Sequence, residues 1–161
     1  MQGNSAVTPK ALAQWLAELP EFASSSSWGI GGSCLLQHLG LVSECRDLDL
    51  VCTEAAYAQL FTALNKQLPL VNVPAHPSYC SHYFARFQHE SGLEIDLMAG
   101  IAVQHSGIVT TWQFEPTLIH RDEQLPWMSP RQWLELYQLF QRPSSAALLQ
   151  VYCHSRGITV D

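Results

Sequence analysis

The sequence predicts an α/β domain, more loosely α+β, in which a mixed twisted sheet is flanked by helices. Three observations carry that expectation. Apolar residues fill 47% of the 161 positions and charged residues only 14%, which excludes a disordered or fibrous chain and suits one compact core. Stretches with apolar residues at helical spacing alternate along the chain with short strand-like runs. Two of those runs, Asp47 to Cys52 and Leu93 to Ile101, set carboxylates in an apolar frame. A single domain over residues 1–161 is expected, its core at about 22–120 and its C-terminal helices at about 129–155.

The elements follow in order. Thr8-Pro9 opens a helix with a hydroxyl cap and a proline at the first helical position, and Leu12, Trp15, Leu16 and Leu19 recur at helical spacing until Pro20 ends it. The serines at 24–27 read as a loop. Trp28-Gly29-Ile30 is a strand leading into Gly31-Gly32, Ser33 to Leu39 is helical, and Gly40 stops it. Asp47 to Cys52 is a strand, and Thr53 caps a helix from Glu54 to about Gln67 that places Tyr57, Leu60, Phe61 and Leu64 on one face. Leu68 to Val73 reads as a short strand. His82 to His89 and Leu93 to Ile101 form a hairpin about a Ser91-Gly92 turn. Val109 to Phe114 is another strand, Ser129-Pro130 starts a helix carrying Trp133, Leu136, Tyr137 and Phe140, and Pro143-Ser144 opens a last helix through Tyr152.

Side chains two apart on a strand share a face, so Asp47 and Asp49 project together while Leu48 and Leu50 enter the core. Two unit charges about 7 Å apart repel by roughly 2 to 3 kcal/mol at an effective dielectric near 20, and a third carboxylate, Asp96, adds comparable repulsion. A divalent cation with hard oxygen ligands relieves it, and magnesium that also binds triphosphate oxygens fits. Glu94 shares a strand face with Asp96 and competes for the same role. The Gly31-Gly32-Ser33 turn suits a phosphate, because glycines allow close backbone approach and a helix start offers unpaired amides. Ser33 adds a hydroxyl.

Gly-Gly-Ser after a strand, a short helix, the Arg46-Asp47-Leu48-Asp49-Leu50 strand and the later Ile95-Asp96-Leu97 strand together resemble the nucleotidyltransferase superfamily typified by DNA polymerase beta, in particular its small single-domain members, the antibiotic and minimal nucleotidyltransferases. The match spans roughly Trp28 to Leu97, and thirteen residues separate Ser33 from Asp47. The resemblance implies transfer of a nucleoside monophosphate from a nucleoside triphosphate to an acceptor hydroxyl on a small molecule or a protein. It implies Gly32 and Ser33 at the β- and γ-phosphates with Gly31 in the same nucleotide-binding turn, Arg46 steadying the triphosphate, and Asp47, Asp49 and Asp96 as catalytic ligands of a two-metal Mg2+ site. It also implies an alternative, a nucleotidyltransferase-like antitoxin or regulatory module that docks a helical protein partner. One departure stands out: Arg142 is followed by Pro143-Ser144-Ser145-Ala146-Ala147 with no lysine, where relatives carry basic residues.

Eight basic against fourteen acidic side chains give a formal charge of −6, and the scattered basic residues form no stripe that would track a long nucleic acid. Five cysteines without a Cys-x-x-Cys pair suit reduced thiols. No stretch reaches the roughly 20 apolar residues of a membrane span, so a soluble, cytoplasmic protein is expected. A homodimer is a further expectation, since so short a chain would borrow part of its acceptor cleft. His76, Cys80 and His82 lack the paired spacing of a zinc site. Trp127, Trp133, Tyr137 and Phe140 read as core packing.

Overall fold

The computed structural model describes residues 7–160, and it is a mixed α/β fold. Helix α1 (Pro9–Ala17) starts where Thr8 accepts a hydrogen bond from the Ala11 amide at 3.1 Å, and Leu12 and Leu16 are buried. Pro20 does more than end it. It occupies the first position of a short second helix, α2 (Pro20–Ala23), where a proline loses no hydrogen bond. Strand β1 (Trp28–Gly31) runs into α3 (Gly32–His38), β2 (Leu48–Cys52) into α4 (Glu54–Gln67), and Thr53 caps α4 through the Ala56 amide.

The segment expected as a strand over 68–73 contracts to β3 (Leu70–Val71). The hairpin appears as β4 (Tyr83–Gln88) and β5 (Glu94–Ala99), joined by five residues that include Gly92 at φ +95°. Beyond Gly100 the chain forms β6 (Ala102–His105) and β7 (Ile108–Thr111), a separate two-stranded hairpin. The sequence reading ended the preceding strand at Ile101, missed β6 and placed β7 slightly late. Two short strands that it missed, β8 (His120–Asp122) and β9 (Leu125–Trp127), precede α5 (Pro130–Leu139) and α6 (Pro143–Ser155).

The main sheet has seven strands in the order β3-β4-β5-β2-β1-β9-β8. β2 and β5 are parallel, as are β1 and β9, and the other neighbours run antiparallel. One face carries Ile30, Leu48, Leu50, Phe87, Ile95 and Leu97, all fully buried, with α1 and α4 packed against it. Each such aliphatic or aromatic side chain contributes roughly 1.5 to 3 kcal/mol by leaving water. The other face is different. There Gly31, Asp49, Asp96 and Arg86 lie side by side, and α5 covers one end of the row.

Candidate active site

The site is a row drawn across four strands. Asp49 on β2 is paired with Gly31 on β1 and with Asp96 on β5, and Asp96 is paired in turn with Arg86 on β4. Directly paired residues point to the same sheet face, and strands lie about 4.8 Å apart, so these side chains are forced together by register alone. Asp47, expected as the first residue of the strand, lies instead in the bend just before β2, where its Oδ1 accepts a hydrogen bond from the Glu94 amide at 3.2 Å. The two separated acidic segments therefore converge beside the glycine turn.

Both glycines are required by close approach. A Cβ at Gly31 would run into the ring of Trp133, so the absence of a side chain lets α5 settle on the strand. Gly32 has φ +61°, and a Cβ there would overlap the Oδ2 of Asp49. The turn and the aspartate thus touch. Ser33 accepts a hydrogen bond from the Arg46 amide at 3.2 Å, which ties the start of α3 to the segment entering β2 and leaves the Ser33 hydroxyl proton free to donate. The Arg46 side chain is exposed.

Electrostatics separate the three aspartates. Asp49 is pushed up to about 7, first by burial and then by the charges of Asp96 and Asp47. Arg142 and Arg86 oppose that rise without cancelling it. Asp96 is held by a two-pronged pair with Arg86, Nε to Oδ1 at 2.7 Å and Nη2 to Oδ2 at 3.0 Å. Arg86 Nε also lies 3.7 Å from Glu94. An under-neutralised carboxylate with a second hard oxygen donor two residues away is the donor chemistry a magnesium ion takes, so Asp47 and Asp49 fit the cation. Asp96 fits it less well, because both of its oxygens are already engaged by Arg86.

A cavity of about 530 Å³ opens over the Asp49 and Asp96 end of the row. Its walls include Tyr79, Phe84, Met98, Trp133, Tyr137 and Phe140, and Arg86 and Arg142 also line it. The aromatic residues of α5 are thus both core and wall: Trp133 and Tyr137 are buried, yet they close the cavity. The Trp133 indole N–H has no hydrogen-bond partner among the described residues. Burial, and then the charge of Asp49, raise the Tyr137 hydroxyl above its ordinary range, and Arg142 moderates that shift.

Two functional candidates were missed from sequence, Arg86 and Arg142. Arg86 carries a signal only once the hairpin register is known. Arg142 follows Gln141, which adopts φ +57° at the end of α5 and turns the chain back toward the sheet. Elsewhere among the described residues, His38, Asp122 and Glu123 gather on the surface, but Glu123 is already paired with Lys10.

The arrangement is a nucleotidyltransferase-like fold with its acidic row exposed to a cavity. Among solved structures, the chain is similar to a putative nucleotidyltransferase from Thermotoga maritima, with a TM-score of 0.64 and 16% identity over 94% of this chain and 98% of that one. At that identity the likeness is one of fold. No family model matches the sequence, and no curated protein matches it. Among the described residues no helix is long and apolar enough to cross a membrane.

Proposed function

We propose that the protein is a metal-dependent nucleotidyltransferase that moves a nucleoside monophosphate from a nucleoside triphosphate to the hydroxyl of a small molecule. The observation that carries this reading is the cross-strand row in which Gly31, Asp49 and Asp96 are direct neighbours. Magnesium held by Asp47 and Asp49 would stabilise charge on the entering and leaving oxygens of an in-line displacement. The chain supplies the rest.

An in-line reaction needs the leaving group and the attacking hydroxyl on opposite sides of phosphorus. The row has such a polarity. At one end, Ser33 offers a hydroxyl proton for the leaving pyrophosphate. At the other, Asp96 and Arg86 face the cavity, which would hold the acceptor and orient its hydroxyl. The cavity volume falls in the usual range for small ligands, roughly 300 to 1,000 Å³, and supports a small-molecule acceptor over a protein one. Two arginines on its wall disfavour a polycationic acceptor. Arg142, whose guanidinium makes no hydrogen bond or ion pair among the described residues, would meet phosphate charge beside Asp49.

The test is incubation of the protein with each nucleoside triphosphate labelled at the α-phosphorus, magnesium and a small-molecule cell extract. Label should move into a new compound with release of pyrophosphate, and Asp49→Ala should abolish it. Retention of all label in the triphosphates, with wild type and variant indistinguishable, would refute the reading.

A further inference from the structure

We infer that Arg86 takes the place of a second metal ion, so that the site binds one divalent cation, on Asp47 and Asp49, with Asp96 serving as the fixed counter-ion of Arg86. The inference rests on the proposed metal-dependent reading and narrows it to a single ion.

Both oxygens of Asp96 are engaged by the guanidinium, at 2.7 and 3.0 Å. The pair is not a loose surface contact. The Arg86 and Asp96 side chains are 30% and 15% exposed, they are direct cross-strand partners, and Phe84 lies 5.7 Å from the guanidinium carbon on the same strand face. Glu94, the other carboxylate on that strand face, approaches Arg86 at 3.7 Å and adds to the hold. The positive charge of an arginine cannot be removed by losing a proton. A second divalent ion bound to Asp96 would sit beside that permanent charge in a partly dry site and be repelled by it. Asp96 can serve one cation fully, and a covalently attached one is already there.

The three carboxylates are spaced accordingly. A shared two-ion centre needs oxygens from all three within a few ångströms, whereas those of Asp47, Asp49 and Asp96 do not all lie within 4.8 Å of one another. Asp49, set between Gly31 and Asp96 in the row and without a cationic partner of its own among the described residues, is the position left for the mobile cation. Of the five N–H donors of Arg86, Asp96 takes two. The others are left for oxygens entering the cavity that Arg86 lines. Arg86 thereby becomes a positioning residue for the acceptor side as well as a charge.

The experiment counts ions directly, by electron paramagnetic resonance titration of the full chain with Mn2+ alone. Wild type should bind one Mn2+ at saturation. Asp96→Asn should still bind one, with affinity changed less than threefold, whereas Asp49→Asn should lose it. Arg86→Met should uncover Asp96 and bind two. Two ions in wild type, loss of the single ion in Asp96→Asn, or a folded Arg86→Met that still binds one would each overturn the inference while leaving metal dependence intact. No bound Mn2+ in wild type would overturn both. The Asp96→Asn result keeps the test decisive if Arg86→Met fails to fold.

Discussion

At the scale of single residues, Asp49 is where stability and chemistry oppose one another. In the folded chain its carboxyl titrates at about 7, against 3.8 for the free group. Between those values the folded protein holds a proton that the unfolded chain has released. Stability from this group is therefore greatest at low pH, falls as pH rises through that window, and levels off above it. Asp49→Asn removes the cost of ionisation, so the metal-free variant should be more stable than wild type at about pH 8 by roughly 2 to 4 kcal/mol, with a flatter profile below. Thermal unfolding across pH reads both, and parallel profiles would refute the shift. Gly32 is the second such residue. Gly32→Ala must adopt a left-handed conformation and displace Asp49, so it should cost at least about 1 to 2 kcal/mol in urea unfolding. A variant as stable as wild type would show that the turn and the aspartate do not touch.

At the scale of elements, the strands and helices that the sequence revealed are those with an uninterrupted pattern and a cap. Thr53 and Ser129 mark the starts of α4 and α5, and both side chains accept the expected amide hydrogen bonds. Ser129→Ala should therefore cost about 1 kcal/mol. Because α5 carries the Trp133 and Tyr137 wall of the cavity, the same variant should raise hydrogen exchange in α5 more than in α4; equal protection would separate the cap from the wall. The elements that escaped are short or broken. Leu125-Pro126-Trp127 offers only three residues with a proline among them, and β9 exists because β1 and β8 pair with it. Arg86 escaped for a reason of register. A two-residue turn at Ser91-Gly92 would set Arg86 opposite Leu97, but the actual connection runs from His89 to Leu93, with the His89 amide bonded to the Leu93 carbonyl at 2.8 Å. That shift of one residue brings Arg86 opposite Asp96.

At the scale of the whole molecule, the acidic row was legible because it obeys two local rules, alternation along a strand and glycine at a tight approach, while the cavity above it was not. Tyr79, Phe84, Trp133 and Arg142 come from widely separated segments and meet only through the sheet order and the return of α5. A net charge of −6 and the crowding of Asp49 by two further carboxylates are the basis of the proposed need for a cation. Calorimetric titration of each nucleoside triphosphate, with and without magnesium, on wild type and Asp47→Ala, addresses that need most directly. Binding that requires magnesium and weakens at least tenfold in the variant, about 1.4 kcal/mol, is expected. Equal affinity in both proteins, or binding indifferent to magnesium, would contradict the site.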